Sequence, residues 1–499
     1  MTAPTTVFTE TLPDYDYDQP ALLAALAELL PQHALLLNTA QKRPYDCDGL
    51  SAYRALPVAV LLPETIEQVQ RIMATCHAFG APVVVRGAGT GLSGGALPFE
   101  RGILLSLAKF NRMLALDPTA RTARAQCGVS NLRISQAAAP YGLYYAPDPS
   151  SQIACTLGGN VVENVGGVHC LKYGLTVHNV LEVRLVTVDG ELLTLGGATL
   201  DSPGYDLLAL IHGSEGMLGV IVEVTVKLLP KPQIAKALLA AFDDVAKAGE
   251  AVGAIIAAGI IPAGLEMMDT HAIRAAEDFV QAGYPLDAAA ILICELDGVA
   301  ADVAEQTDRV TAILNDHDAA EVRISADEAQ RLAFWSGRKN AFPAVGRILP
   351  DYYCMDGTIP RKALPEVLMR INALSRKYGL RCANVFHAGD GNLHPLILYD
   401  ANAGELAAAE RFGADILRLC VDMGGAITGE HGVGMEKINE MCVQFNAAEL
   451  RQLHAVKAAF DPRGLLNPGK AVPTLHRCAE FGAMHVHHGQ LPHPDLPRF

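Results

Sequence analysis

Two histidines and a later glutamate–histidine pair are the residues of this chain best spaced for chemistry. The histidines lie in Val385-Phe386-His387-Ala388-Gly389-Asp390-Gly391-Asn392-Leu393-His394-Pro395-Leu396, where two apolar runs flank Asp-Gly. Asp-Gly is a favoured centre for a two-residue type I′ hairpin. Taking Asp390-Gly391 as that turn predicts His387 directly opposite His394, on one face, with Cβ atoms about 4.5–5.5 Å apart. Two imidazole nitrogens can then meet one metal ion at about 2.0–2.1 Å each. A one-residue slip would send one ring to the other face. A third ligand is available in Gly424-Gly425-Ala426-Ile427-Thr428-Gly429-Glu430-His431-Gly432-Val433-Gly434. An extended backbone there would turn adjacent side chains opposite ways. Glu430 is then expected on the metal and His431 toward a substrate. A lone histidine is most often an ordinary core or surface residue; a hairpin pair with Glu-His is much less so.

A second kind of chemistry lies upstream. Pro82-Val83-Val84-Val85-Arg86-Gly87-Ala88-Gly89-Thr90-Gly91-Leu92-Ser93-Gly94-Gly95 reads as a strand entering five glycines. Glycine lets the backbone turn with positive φ and approach a ligand, and successive N–H groups then cradle an anion such as a pyrophosphate. Gly89, Gly91 and Gly94 spell G-x-G-x-x-G, which marks a Rossmann site only when a helix follows at once. Here a turn and another strand follow, so the loop lies between strands. The bland reading is a structural turn. Two further segments weigh against it. The first, Thr156 to Gly167, carries Gly158-Gly159-Asn160 and Asn164-Val165-Gly166-Gly167 behind Pro147-Asp148-Pro149. The second is Gly213-Ser214-Glu215-Gly216-Met217-Leu218-Gly219-Val220-Ile221.

Elements must bring these pieces together. Residues 1–230 alternate short apolar runs (Val58–Leu62, Val83–Val85, Ile103–Leu105, Leu181–Val188) with turns, and a helix is expected over Ile66–Phe79. Lys227–Pro232 reads as a linker. Residues 231–420 alternate strands and helices in an α+β pattern. Residues 421–499 form a Gly-rich turn, a helical segment and a tail. Ser325-Ala326-Asp327-Glu328 reads as a capping box opening a helix on which Arg331, Trp335 and Arg338 share a face. A substrate carboxylate would want such an arginine.

Composition excludes other classes. Of 499 residues, half are hydrophobic and 19% charged, which suits a folded globular chain rather than a disordered one. The net charge of −15 argues against nucleic-acid binding. Ala251–Leu265 is apolar but short of the ~20 residues of a membrane span and is broken by Pro262; core helix running into strand is expected. The N-terminus has no basic start and apolar h-region. The 11 scattered cysteines form no C-x-x-C pair, so neither a disulfide framework nor an iron–sulfur cluster is expected in this chain. The expected location is the cytoplasm, at a membrane only through partners.

The three glycine segments, in this order, resemble the FAD-binding domain of the vanillyl-alcohol oxidase superfamily. The resemblance implies a two-subdomain FAD-binding domain over 1–230. It implies an α+β substrate (cap) domain with an antiparallel sheet over 231–420, and a segment over 421–499 that returns to the flavin and ends in a partner-docking tail. It implies that Arg86, Gly87, Ala88, Gly89, Thr90, Gly91, Leu92 and Ser93 hold the pyrophosphate. Pro147, Asp148, Gly158, Gly159, Asn160, Asn164, Gly166 and Gly167 would line the adenosine and ring, with Gly219, Ile221 and Asn467. Some members tether the flavin to a histidine near the loop; none lies beside it here, so non-covalent FAD is expected.

The hairpin and the Glu-His loop resemble those of FAD-linked 2-hydroxy acid dehydrogenases, a group that includes D-lactate and D-2-hydroxyglutarate dehydrogenases and the flavin subunit of bacterial glycolate oxidase. Tyr144-Tyr145-Ala146-Pro147-Asp148-Pro149-Ser150-Ser151-Gln152, Cys170-Leu171-Lys172-Tyr173-Gly174 and Cys478-Ala479-Glu480-Phe481-Gly482 extend the likeness to the last branch over essentially the whole chain. The resemblance implies that His387, His394 and Glu430 hold a divalent ion (Zn, Mn or Fe). It makes His431 the base and Arg338 the carboxylate anchor, with Arg347 and Lys339 as weaker candidates. Cys354 and Leu396 stand where hydroxyglutarate-type relatives carry lysine and asparagine, which favours a smaller acid. The implied reaction is oxidation of glycolate to glyoxylate. Hydride passes to flavin N5, the metal assists deprotonation of the hydroxyl, and electrons go to iron–sulfur and second flavin-type subunits of a glycolate oxidase complex. A D-lactate dehydrogenase, a non-redox flavoprotein of the same superfamily and a scaffold subunit with a dead flavin site remain alternatives. The tail histidines His476, His485, His487, His488 and His493 fit partner docking better than a metal site.

Overall fold

The computed structural model describes residues 15–199 and 204–473. The tail histidines and Cys478 therefore lie outside the described residues. Mixed α+β architecture, as expected, is built on three main sheets.

The first sheet has strands β1 (Leu35–Leu36), β2 (Ala59–Leu61), β3 (Val83–Arg86) and β4 (Ile103–Ser106) in the order β1-β2-β4-β3. The β2–β4 and β3–β4 pairs are parallel, which requires the crossover helix Ile66–Phe79. That helix starts at Thr65, whose side chain and that of Gln68 cap each other's backbone N–H, and stops at Gly80 with φ +73°. The glycine loop leaves β3 and enters β4 without an intervening helix, so the Rossmann reading fails on topology.

The second sheet is antiparallel, with β5 (Met113–Asp117), β6 (Thr122–Gln126), β8 (Val180–Val186), β9 (Leu192–Gly196) and β10 (Val220–Lys227) in the order β5-β6-β10-β8-β9. Between β6 and β8 runs β7 (Leu143–Tyr144), which pairs with β11 (Leu229–Pro230). The expected linker at 227–232 is thus partly clamped to the first half of the chain.

The third sheet comprises β12 (Ile234–Phe242), β13 (Gly264–Asp269), β14 (Ala290–Gly298), β15 (Glu321–Ile324), β16 (Asp351–Cys354), β17 (Cys382–Phe386) and β18 (Pro395–Tyr399). Its order is β15-β12-β14-β13-β17-β18-β16, with every pair antiparallel. Both faces are buried, and the two-residue period sorts the side chains between them. Leu238, Ala240 and Phe242 join one core, while Ala237, Leu239 and Ala241 join the other with Phe334 and Trp335. The apolar stretch at 251–265 is the end of helix Val245–Ala257, a turn and the start of β13. None of the described helices is long and apolar enough to cross a membrane. Among the described residues nine cysteines are free and Cys442 is disulfide-bonded.

Candidate functional site

Strand parity decides where the polar residues go. Glu266 has the parity of Met268, and His387 that of Ala383 and Val385. His394 has the parity of Leu396 and Leu398. These apolar neighbours all belong to the core that holds Trp335. Both histidines and Glu266 therefore emerge on the sheet face covered by helix Glu328–Lys339.

The hairpin register differs from expectation. β17 and β18 pair Cys382 with Ile397 and Asn384 with Pro395, and His387 bridges Asn392, not His394. The turn holds four residues, 388–391. The reason is a third segment: Leu393 N donates to Gly357 O (2.9 Å) and Ile359 N to Gly391 O (3.0 Å), so the tip is already engaged and does not close as a two-residue turn. A shift of two preserves the face. The rings are diagonal neighbours with centroids 5.1 Å apart.

Glu430 completes the group. Its Oε1 lies 3.1 Å from His394 Nε2 and 3.5 Å from His387 Nε2. Each histidine has its other nitrogen near an acceptor: His387 Nδ1 lies 2.6 Å from Glu266 Oε1, and His394 Nδ1 lies 3.4 Å from Met355 O. Partners on Nδ1 orient the rings and leave Nε2 for an ion, the arrangement typical of metal-ligating histidines. His387 stands between two carboxylates. Burial opposes its charge, but Glu266 and Glu430 together outweigh burial and hold its pKa well above the usual imidazole range. Burial likewise opposes charge on Glu430, yet the two histidines keep it well below the usual carboxylate range. Positive charge is favoured at this point, so the donor set fits a divalent cation.

The Glu430-His431 segment is not extended. It bends around buried Asp356, whose carboxylate accepts from the backbone N–H of Gly429 (3.1 Å), Glu430 (3.1 Å) and His431 (2.9 Å). Glu430 and His431 consequently face the same cluster. The His431 ring stacks on His394 with centroids 4.9 Å apart, and its Nε2 is 3.9 Å from Glu430 Oε1. Burial first, then the positive surroundings of His394 and Lys437, push the His431 pKa down to about 4. The ring is thus neutral, with one nitrogen lone pair unprotonated.

Arg338 lies on helix Glu328–Lys339 and donates from Nε to Glu266 Oε2 (2.7 Å). One carboxylate thereby positions both Arg338 and His387. The helix cap is Asp327, which accepts from Gln330 N, rather than Ser325, whose hydroxyl accepts from Ala237 N. Arg331 and Trp335 do share the inner face, and both donate to Glu295. Lys339 reaches the cleft, whereas Arg347 pairs with Asp278 on the surface.

A cleft of about 610 Å³ joins this cluster to the glycine loop. Gly87 to Leu92 line it, as do Gly158, Gly159, Asn160, Gly219 and Ile221. At Gly91 an added Cβ would meet nothing within 4 Å, so the loop's backbone is open to a guest. The other expected cofactor residues stand behind the wall. Arg86 donates to Cys47 O (2.6 Å), and Ser93 to His431 O (3.0 Å). Pro147 O accepts from Asn131, and Asp148 pairs with His169. Asn164 caps the short helix Leu157–Glu163, Gly166 backs Glu430, and Gly167 packs on Asp148. Asn467 ties Gly95 O to Glu215 O.

Several residues of the site were not singled out from sequence. Glu266 had a signal: a lone carboxylate inside the apolar strand Gly264-Leu265-Glu266-Met267-Met268, where a buried charge demands a partner. Asp356 and Glu163 had none that local pattern reveals. Glu215 accepts from Val433 N (2.7 Å) and Gly434 N (2.6 Å), tying the His431 loop to the first half of the chain.

A glycine cradle opening onto a buried cluster of three histidines, a glutamate and an arginine, on this α+β fold, fits an FAD-binding oxidoreductase. Residues 57–196 match the FAD binding domain model, and residues 231–471 match the model of FAD linked oxidases, C-terminal domain. The chain belongs to the FAD-linked oxidases. It is 66% identical over 485 residues, 97% of each chain, to the glycolate oxidase subunit GlcD of Escherichia coli (strain K12). It is 33% identical over 420 residues, 83% of this chain and 91% of the relative, to a D-lactate dehydrogenase of Archaeoglobus fulgidus. In fold it matches p-cresol methylhydroxylase with a TM-score of 0.74 at 18% identity, covering 92% of this chain and 97% of that one.

Proposed function

We propose that this chain is the flavin-bearing subunit of a glycolate-oxidising enzyme and converts glycolate to glyoxylate. The single observation that carries the substrate is the 66% identity over 97% of both chains to a glycolate oxidase subunit, against 33% to a D-lactate dehydrogenase. FAD, bound without a covalent tether, would supply the acceptor for the C2 hydride, and His387, His394 and Glu430 would hold a divalent ion (Zn, Mn or Fe) whose positive charge would favour the ionised hydroxyl.

The chain's own residues do the rest. Arg338 holds the substrate carboxylate, and Glu266 prevents the guanidinium from swinging. His431, neutral and enclosed, receives the hydroxyl proton at Nε2, the nitrogen facing Glu430. Asp356 fixes the loop that presents it. Cys354 lies directly opposite Leu396 across β16 and β18, and both are buried, so no polar anchor for a longer acid arises from these positions. Partner subunits, one of them an iron–sulfur protein, receive the electrons. The enzyme works in the cytoplasm and meets a membrane through those partners.

Anaerobic titration of the purified chain with glycolate, D-lactate and D-2-hydroxyglutarate, with and without chelator, tests this reading. Flavin absorbance near 450 nm should bleach fastest with glycolate and should bleach slowly after metal removal. Faster reduction by D-lactate would overturn the substrate, and reduction indifferent to chelator would overturn the metal. His431→Ala should retain FAD and lose turnover.

A further inference from the structure

One carboxyl group on the cleft wall has no part in the reaction described above. Glu163 ends the helix Leu157–Glu163 and lines the cleft between the glycine loop and the His431 loop. Gly95 and Gly432 press on it: a Cβ at Gly95 would lie 3.3 Å from Oε1, and one at Gly432 would collide with Oε2. Oε2 is enclosed and has no hydrogen-bond partner.

The neighbouring charges do not pair with it. Lys470 Nζ donates to Gly95 O (3.0 Å), Leu97 O and Asn467 Oδ1 (2.7 Å). Lys437 Nζ donates to Gly432 O (2.9 Å) and pairs with Asp356 and Glu436. Glu215 next to it accepts from the N–H groups of Val433 and Gly434, which favour its ionised form against the burial that raises its pKa. Burial first, then the charge of Glu215, raise the Glu163 carboxyl well above the usual range, since two acids in one enclosure do not both ionise. Of these two neighbouring acids Glu215 accepts two backbone N–H bonds and Glu163 Oε2 none, so Glu163, next to the glycine that follows His431, is the one placed to carry a shared proton.

We propose that the Glu163 carboxyl donates a hydrogen bond to an acceptor atom of the bound flavin ring and thereby raises the cofactor's reduction potential. The inference rests on the FAD reading of the cleft. A fixed donor aimed at an atom that gains electron density stabilises the reduced ring over the oxidised one.

The test is a potentiometric titration of the FAD-loaded chain, with FAD affinity measured alongside. Glu163→Gln keeps an N–H donor of the same reach and should keep the wild-type potential. Glu163→Ala should bind FAD yet shift the oxidised-to-reduced equilibrium at least tenfold toward oxidised, about 30 mV more negative for a two-electron couple. If the alanine variant does not fold, Glu163→Asp, which withdraws the carboxyl by one methylene, takes its place with the same expectation. A wild-type potential in the shortened variant overturns the proposal and leaves the FAD reading standing. A wild-type chain that takes up no FAD defeats the FAD reading itself.

Discussion

His387 Nδ1 lies 2.6 Å from Glu266 Oε1, and the contact leaves Nε2 as the nitrogen that faces Glu430. The second oxygen of Glu266 holds Arg338 Nε at 2.7 Å, so one carboxylate positions both the proposed metal ligand and the proposed carboxylate anchor. Glu266→Ala is expected to lower metal affinity and kcat/KM by about 10–100-fold, the usual cost of losing a histidine's outer partner. Stranding the buried Arg338 charge should also cost about 3–5 kcal/mol of stability. Metal content and denaturant melts check the two effects separately. Full metal occupancy with normal turnover would dismiss the role given to Glu266.

Arg338→Lys tests the carboxylate anchor. Lysine keeps the charge but loses the planar fork, of which Nε is committed to Glu266. Removing one charged hydrogen bond is worth about 1.5–3 kcal/mol, or about 10–150-fold in kcat/KM for glycolate. The deficit should shrink for an aldehyde hydrate of glycolate's size that has no carboxylate. An equal deficit for both substrates would mean that Arg338 does not touch the carboxylate.

Local pattern revealed much of this site, and the rest depended on long-range contacts. Helix Ile66–Phe79 was readable in outline because its limits are local, set by Thr65, Gln68 and Gly80. The glycine loop was readable because a motif without its helix excludes the Rossmann geometry. Which face carries the histidines was also readable, since a two-residue period survives a two-residue shift. The register itself was not, because Gly357 and Ile359, about 30 residues away, hold the hairpin tip open. Nor was the bend at Glu430-His431, imposed by Asp356 more than 70 residues earlier. Of the expected cofactor residues, Arg86 and Asn467 brace the loop from behind, a distinction between wall and support that spacing alone does not carry.

The seam between the two halves of the chain has its own pH signature. His169 Nδ1 lies 2.7 Å from Asp148 Oδ2, and Nε2 lies 3.3 Å from Glu295 Oε1. Burial works against its charge, but the two carboxylates outweigh it and lift the imidazole to about 10. The folded value therefore exceeds the unfolded one of about 6.5. The stabilisation is fully present below about pH 6.5 and is lost as pH rises through about 10. Thermal melts of wild type and His169→Gln should differ most at about pH 6 and converge toward about pH 10. A melting difference that stays constant over this range would rule out the charged pair as its source.

Gly432→Ala separates backbone strain from crowding at the base. Gly432 sits at φ +80°, and an added Cβ would strike Glu163 Oε2 and come within 3.0 Å of Glu215 Oε1. Gly424, in the same segment, has φ +85°, but its Cβ would meet nothing nearer than Pro360 Cγ at 3.8 Å. Both substitutions carry a similar left-handed penalty of about 1–2 kcal/mol, so melting temperatures should fall alike for that part. At Gly432 the collision must also move either Glu163 or the loop that presents His431. A displacement of about 1 Å at a reacting group costs on the order of 100-fold. Gly432→Ala is therefore expected to lose kcat by at least about tenfold while retaining FAD, with Gly424→Ala close to wild type in kcat. Equal losses of kcat in the two variants would show that backbone strain, not the contact between Gly432 and Glu163, controls the position of His431.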